Sequence, residues 1–111
     1  MSTRFLYITA TNTEEARTIG ETLVAERLVA CANILAPMSS IYWWQGRIQR
    51  DTEAVLIAKT RAELVDRAIA RVKALHSYTV PCVVSLAIEQ GNPDFLGWIE
   101  AETGAETGAQ Q

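Results

Sequence analysis

The sequence predicts an α+β fold in which helices cover one face of a four-stranded sheet. Runs rich in aromatic and branched residues alternate with helical stripes in the order strand, helix, strand, strand, helix, strand, helix. The two middle strands meet at Gln45 and Gly46, which suit a tight hairpin turn. Short right-handed connections between the two halves favour a ferredoxin-like βαββαβ sandwich with a long β-hairpin and a short C-terminal helix.

One domain accounts for the chain. Its 111 residues, of which 49% are hydrophobic and 21% charged, are typical of a single globular unit with a buried core. We assign residues 1–102 to this domain. Residues 103–111 are small and polar and are predicted to form a flexible C-terminal tail.

The first strand is predicted at residues 4–10, where aromatic and branched side chains dominate. The first helix is predicted at residues 14–28. Apolar side chains recur there at helical spacing, and two acids stand where the helix dipole favours them, at Glu14 and Glu15.

Two long extended segments follow, at residues 30–44 and 47–59. About 13 residues at roughly 3.3 Å each would span some 40 Å, far more than a usual strand, so the arms are expected to overhang the sheet. Gly46 supplies the positive φ that the turn between them needs. Pro37 cannot donate a ladder hydrogen bond, which predicts a bulge or an edge position there.

The second helix is predicted to open at Thr60, because Glu63 three residues later completes a capping-box pattern, and to end near His76. A last strand follows Pro81. Asn92, Pro93 and an acid in the first turn then predict the start of a short third helix.

Several strands are apolar on both faces, since Leu6 and Ile8 point opposite to Phe5 and Tyr7. One layer of two helices covers only one face of a sheet. The sequence therefore predicts a homo-oligomer, with residues 41–44 in its contact surface. The alternative is that the two tryptophans of that segment pack only against their own hairpin.

Charge and hydropathy exclude several classes of protein. A net charge of −3 argues against a nucleic-acid binder, which needs a basic face. No apolar run is long enough for a membrane span and no signal-peptide core follows the first residues, so we expect a cytoplasmic protein. All ten Lys and Arg lie within residues 1–73. The acidic end is either a docking surface for a cation or basic partner or a solvated face.

The middle of the chain resembles the CutA divalent-cation-tolerance family. The matching residues run in order through 29–34, 40–48, 53, 57–60, 76–78, 81, 91–96 and 98–99. The resemblance implies a ferredoxin-like fold, a tight homotrimer, a cytoplasmic location and a role in divalent metal tolerance, with copper binding above all. It attaches no catalytic reaction, so we expect a protein that is not an enzyme.

Two departures from the family pattern concern its carboxylates. Where the family usually reads His-Pro-Tyr-Glu, this chain has Ser77 and Thr79 around Tyr78, and Cys82 stands where a glutamate usually follows the proline. If the missing acids are ligands for hard cations, this chain should bind calcium- or magnesium-like ions poorly and favour soft metals.

The candidate metal ligands are Cys31, His76 and Cys82, a set that suits copper or another divalent metal such as zinc. In the predicted topology Cys31 and Cys82 lie on opposite edges of the sheet and cannot share one ion within a chain. His76 and Cys82 could do so, with a neighbouring copy bringing its Cys31. The alternatives are buried thiols that act as small hydrophobes and a histidine that interacts with a helix dipole. No C-x-x-C motif occurs, and reduced thiols are expected.

Other patterns are weaker. Glu53 and Lys59 are expected to form a rim ion pair or a solvated strand face. Residues 46–49 resemble the anion-binding loop of acylphosphatases, but here they form a hairpin turn. The chain also lacks the glycine-aromatic signature of RNA-recognition folds.

The functional prediction is a CutA-like trimer for divalent metal binding, tolerance and response. The alternative is a trimeric signalling protein with effector sites in clefts between subunits.

Overall fold

The structure, a computed structural model, describes residues 2–104 and has the predicted α+β architecture. Its elements are β1 (Thr3–Ala10), α1 (Thr13–Ala25), β2 (Cys31–Trp44), β3 (Arg47–Arg61), α2 (Val65–Leu75), β4 (Val83–Ile88) and α3 (Pro93–Ala101). The strands form one antiparallel sheet in the order β2-β3-β1-β4. This order confirms the ferredoxin-like βαββαβ sandwich, and it places β2 and β4 at opposite edges.

The core lies between the helices α1 and α2 and one face of the sheet, which we call the first face. Alternate residues of the central strands are fully buried there, and the helices contribute apolar side chains to the same cluster: Leu6, Ile8, Leu56, Ala58, Ile19, Leu23, Ala68 and Val72. Each large aliphatic side chain stabilises the fold by roughly 1.5–3 kcal/mol when it leaves water.

Helix α1 begins after Asn12, whose side chain accepts a hydrogen bond of 2.9 Å from the Glu15 N–H. It ends at Ala25, three residues earlier than the apolar pattern predicts. Arg27 takes a left-handed φ of 61°, and the Leu28 N–H bonds back to the Leu23 carbonyl. This turn keeps Leu28 buried although it is not helical. The apolar pattern therefore extends three residues beyond the end of the helix.

The capping box predicted at Thr60 is wrong. Thr60 belongs to β3, is fully buried, and donates from Oγ1 to the Leu28 carbonyl at 2.7 Å. Strand pairing continues as far as Thr3 opposite Arg61, so the ladder overrides the local capping signal. The chain then makes a 3-10 turn at Ala62–Leu64 and enters α2, which ends at Leu75 as predicted.

The long hairpin is confirmed. Gln45 and Gly46 have φ values of 50° and 78°, as a type I′ turn requires. The register shifts between Leu35 and Met38, around Pro37, so the predicted bulge is also confirmed. Because β1 pairs with β3 only as far as Ala54, residues 38–53 form a two-stranded extension, which we call the outer hairpin.

Helix α3 starts as predicted, with the Asn92 side chain accepting from the Asp94 N–H at 3.0 Å and proline in the first turn. It packs on the opposite side of the sheet, which we call the second face and which includes Phe5, Tyr7 and Lys59. There the Lys59 ammonium lies 6.0 Å from the centre of the Phe95 ring. Ile99 is fully buried beneath the helix.

The edge strands expose apolar side chains on the second face. Leu35, Val84 and Leu86 are 60%, 49% and 55% exposed, and all three are in register with second-face residues of the central strands. The prediction of strands that are apolar on both faces is therefore confirmed. Trp43 is 72% exposed, which disfavours the alternative that the tryptophans pack only on their own hairpin.

The two residues after Glu102, Thr103 and Gly104, are held against the rest of the domain. Thr103, which the sequence assigns to the tail, is fully buried and donates from Oγ1 to the Ile99 carbonyl at 2.9 Å. The Gly104 N–H bonds to the Arg27 carbonyl at 2.9 Å. Residues 105–111 of the predicted tail lie outside the described residues. In the part of the chain that the structure describes, no helix is long and apolar enough to cross a membrane.

Candidate functional site

A cleft of about 810 Å³ lies on the second face, where the outer hairpin leaves the sheet. Its walls come from β1, the outer hairpin and the loop between α2 and β4. The side chains that give it chemical character are Tyr7, Met38, Tyr42, Trp44, Glu53, Tyr78 and Cys82. The geometry of this cleft depends on how the loop after α2 is held.

Glu15 anchors that loop to the start of α1. Its carboxylate accepts 2.8 Å hydrogen bonds from the N–H groups of Thr11 and Ser77. The hydroxyls of Thr11 and Ser77 lie 3.0 Å apart and complete the contact. Burial alone would raise the pKa of Glu15, but the hydrogen bonds from Thr11 and Ser77 outweigh it and lower the pKa to about 2. The carboxylate therefore stays ionised at neutral pH.

His76 fixes the same loop to the end of β1. The Tyr78 N–H donates to its Nδ1 at 3.0 Å, so Nδ1 is the acceptor and Nε2 carries the proton. Nε2 in turn donates to the Thr9 carbonyl at 2.7 Å. The side chain has no exposed surface. Both ring nitrogens are occupied by backbone groups, so the predicted metal-ligand role of His76 has no free nitrogen in this arrangement.

Glu53 lies on β3 opposite Met38 and is only 7% exposed. The Tyr78 hydroxyl donates to its Oε2 at 2.6 Å. No Lys, Arg or His nitrogen among residues 2–104 comes within ion-pair distance of it. The expectation of a solvated strand face or rim ion pair is therefore wrong for Glu53, because the loop after α2 folds over it. Burial and this hydrogen bond raise the pKa of Tyr78 to about 12.

Two further hydroxyls line the cleft. The Tyr42 hydroxyl donates to Asp51, and this hydrogen bond, with burial and the charges of Asp51 and Glu53, raises the pKa of Tyr42. The Tyr7 hydroxyl donates to the Met38 sulfur at 3.6 Å. Because their pKa values are raised, the phenols of Tyr42 and Tyr78 remain neutral hydrogen-bonding groups near pH 7.

The two cysteines lie far apart on the second face. Cys82 is exposed, lines the cleft, and accepts a backbone hydrogen bond from Thr9. Cys31 is partly buried at the other end of the sheet, with its sulfur 3.9 Å from the Lys59 ammonium. The register puts Cys31 level with Phe5, four residues from Thr9 along β1, or roughly 13 Å. Within one chain the two thiols cannot bind the same ion, as the sequence predicts.

Lys59 does not pair with Glu53 either. Its ammonium donates to the Asn33 side chain at 3.0 Å and faces Phe95. Across residues 2–104, no three His, Cys, Asp or Glu side chains are grouped closely enough to hold a metal ion.

Sequence reasoning missed the aromatic and acidic lining of the cleft. Met38, Tyr42 and Trp44 recur with a period of two on one strand, and this spacing could have placed them on one face. Relating that face to Tyr7 and Glu53 needs the register across the Pro37 bulge, which spacing alone does not supply.

The fold and the cleft together define a class: a single-domain ferredoxin-like sandwich with an elongated hairpin, an apolar second face and a binding cleft at the base of the hairpin. The family described as CutA1 divalent ion tolerance protein has a model that matches residues 4–102. The chain belongs to this family.

Its relatives share both sequence and structure. The divalent-cation tolerance protein CutA of Archaeoglobus fulgidus is 46% identical over 96 residues, which span 86% of this chain and 93% of the relative. The structure of the divalent cation tolerance protein Cut A1 from Thermus thermophilus has a TM-score of 0.90 at 45% identity, over 92% of this chain and 99% of that one. The structure of the Archaeoglobus protein, described as periplasmic, has a TM-score of 0.85 at 45% identity, over 87% and 94%.

Proposed function

We propose that the chain assembles as a homotrimer that binds copper or another soft divalent metal and serves in metal tolerance and response. The observation that carries the proposal is the exposed thiol of Cys82 on the cleft. The names of the relatives, divalent-cation tolerance proteins, support the same class of function.

The donors in the cleft favour a soft metal. Cys82 and Met38 supply a thiol and a thioether on its walls, and sulfur ligands select copper over calcium or magnesium. His76 is engaged by two backbone groups and is left out of this ligand set. Since the described residues of one chain hold no group of three charged or imidazole donors, a second copy is expected to complete the coordination.

The apolar second face supports assembly. Leu35, Val84 and Leu86 would leave water if sister copies packed against this face. The cleft opens on the same face, so it would lie at a seam between subunits. A third copy closes such a contact into a ring, as the family resemblance implies.

Copper titration of the purified chain tests the metal proposal. We expect Cys82→Ser to weaken copper binding by at least tenfold, because a hydroxyl is a poor ligand for a soft metal. Cys31→Ser makes the same change at a thiol remote from the cleft within the chain, and it tests separately whether the Cys31 of a neighbouring copy joins the site. Equal copper affinity in the wild type and Cys82→Ser would overturn the assignment of Cys82. A loss in Cys31→Ser alone would move the site to the other end of the sheet.

A second candidate function is a small-ligand effector site. The observation that favours it is the size of the cleft, about 810 Å³, which lies within the usual range of small-molecule pockets. We propose binding rather than catalysis for either ligand, because the family resemblance implies no catalytic reaction. A cytoplasmic location is proposed on the two unpaired thiols, although one relative is described as periplasmic. The acidic charge balance supports partners other than nucleic acid.

A further inference from the structure

Glu53 is a buried carboxylate without a basic partner. It is 7% exposed, and its one side-chain hydrogen bond comes from the Tyr78 hydroxyl at 2.6 Å. No Lys, Arg or His of the described chain lies within 4.0 Å of its oxygens. A buried charge is costly unless a counter-ion or several hydrogen bonds compensate it. The neutral phenol supplies no counter-charge, so Glu53 favours a positively charged group that enters the cleft.

The rest of the cleft is aromatic. Tyr7, Tyr42, Trp44 and Tyr78 line it, and among the described residues in its walls Glu53 is the sole charged side chain. Ring faces attract cations, and the attraction grows when the cation leaves water. The walls thus combine one counter-charge with several ring faces.

This combination discriminates between kinds of cation. Calcium and magnesium take six or more oxygen ligands in a compact shell, whereas the cleft supplies one carboxylate in walls made mostly of aromatic rings. An organic ammonium group needs only one counter-charge, and its alkyl groups gain from contact with aromatic walls. The volume of about 810 Å³ also exceeds what a bare ion would fill.

We propose that this cleft binds a small organic ammonium ion, with Glu53 as its counter-ion and Trp44 and the tyrosines as the walls around its alkyl groups. The inference names the ligand class of the effector site proposed above as the second function, and it rests on that function. It uses a different group from the copper proposal, which assigns the metal to Cys82 and Met38 in the walls of the same cleft.

Calorimetric titration of the full chain in its native assembly tests the proposal with two probes of equal shape. Choline carries a quaternary ammonium, and dimethylbutanol is its uncharged carbon analogue. We expect choline to bind at least tenfold more tightly than dimethylbutanol, because only the cation compensates Glu53. Equal affinities, or no binding of choline, would overturn the proposal.

Variants locate the site. Glu53→Gln keeps the shape and the acceptor for Tyr78 but removes the charge, and should weaken choline binding at least tenfold. Glu63→Gln, an exposed acid in the turn before α2, is the matched control and should leave it unchanged. If Glu53→Gln does not fold, Trp44→Leu on the exposed outer hairpin is tested instead. If this variant binds choline as tightly as wild type does, the proposal is contradicted.

A cross-test separates the two ligands. Cys82→Ser should weaken copper binding by a larger factor than choline binding, and Glu53→Gln should weaken choline binding by a larger factor than copper binding. If choline binding fails in wild type while copper binding depends on Cys82, the ammonium proposal falls and the metal proposal stands. If choline binding depends on Glu53 while copper binding does not depend on Cys82, the metal proposal falls and the ammonium proposal stands.

Discussion

Polar side chains that are buried at the edge of the cleft have structural tasks which their residue types do not reveal. His76 carries the proton on Nε2 and links Thr9 to Tyr78. Glu15 receives two backbone N–H groups from segments that are far apart in sequence. Both side chains form hydrogen bonds with backbone groups, and together they hold the loop after α2, which covers Glu53.

The lowered pKa of Glu15 predicts a defined acid sensitivity. A carboxyl whose pKa falls from 4.5 to about 2 on folding contributes stability that is present above pH 4.5 and lost as the pH falls through 2. We expect Glu15→Gln to lower the free energy of unfolding at pH 7 by about 2 kcal/mol and to flatten its dependence on pH in this window. Urea unfolding across a pH series at constant protein concentration measures this. Glu14→Gln, an exposed acid in the same helical turn, is the control, and an identical pH profile for both variants would contradict the prediction.

Replacement of His76 separates structure from metal binding. His76→Ala leaves the Thr9 carbonyl and the Tyr78 N–H without partners, which should cost about 2 kcal/mol of stability. Copper affinity should stay within twofold of wild type, because neither nitrogen is available to an ion. Chemical denaturation and copper titration of the same preparation check both parts. A folded variant with tenfold weaker copper binding would restore the metal-ligand role predicted from sequence.

Elements set by local chemistry are the ones that the sequence predicts well. The hairpin turn at Gln45 and Gly46 and the Asn92 cap of α3 depend on the conformational preferences of a few adjacent residues, and both are confirmed. The predicted start of α2 at Thr60 is wrong because Thr60 pairs with β1, a strand distant in sequence, and so stays in β3. The burial of Glu53 was missed for the same reason, since the loop that covers it comes from a part of the chain more than twenty residues away.

Two helical glycines, Gly20 in α1 and Gly97 in α3, are predicted to respond to substitution in opposite ways. A Cβ on Gly20 would lie 3.2 Å from both the Ala32 Cβ and a Leu56 methyl group. Gly20→Val should therefore destabilise the fold by about 1–3 kcal/mol, as overpacked cores do. A Cβ on Gly97, inside α3, would meet no atom of the described residues within 4 Å, so Gly97→Ala should stabilise by about 0.5–1 kcal/mol through helix propensity. Thermal and urea unfolding measure both changes, and a stabilising Gly20→Val would refute the close approach of helix and sheet.

At the scale of the whole molecule, the two faces of the sheet differ in how they are covered. Helices α1 and α2 bury the first face, whereas α3 lies over only one end of the second. Exposed leucine and valine side chains remain on the two edge strands, beside a cleft that opens on the same side. Monomeric proteins rarely leave such a contiguous apolar surface in water. Assembly and ligand binding are therefore expected to be coupled, because both use the second face.

A single charge on this face should break the assembly. Leu86 is 55% exposed on β4, and each large aliphatic side chain that a neighbour covers contributes roughly 1.5–3 kcal/mol. Leu86→Glu would instead bury a carboxylate in the contact, so we expect sedimentation at micromolar concentration to shift from three chain masses to one. Val24→Glu adds the same charge to an exposed apolar position of α1, on the other side of the molecule, and should leave the proposed trimer intact. Because the free chain already exposes Leu86, its fold should survive the change, which circular dichroism can check. A wild-type chain that sediments as a folded monomer, or a Leu86→Glu variant that stays trimeric, would show that the second face is not the contact.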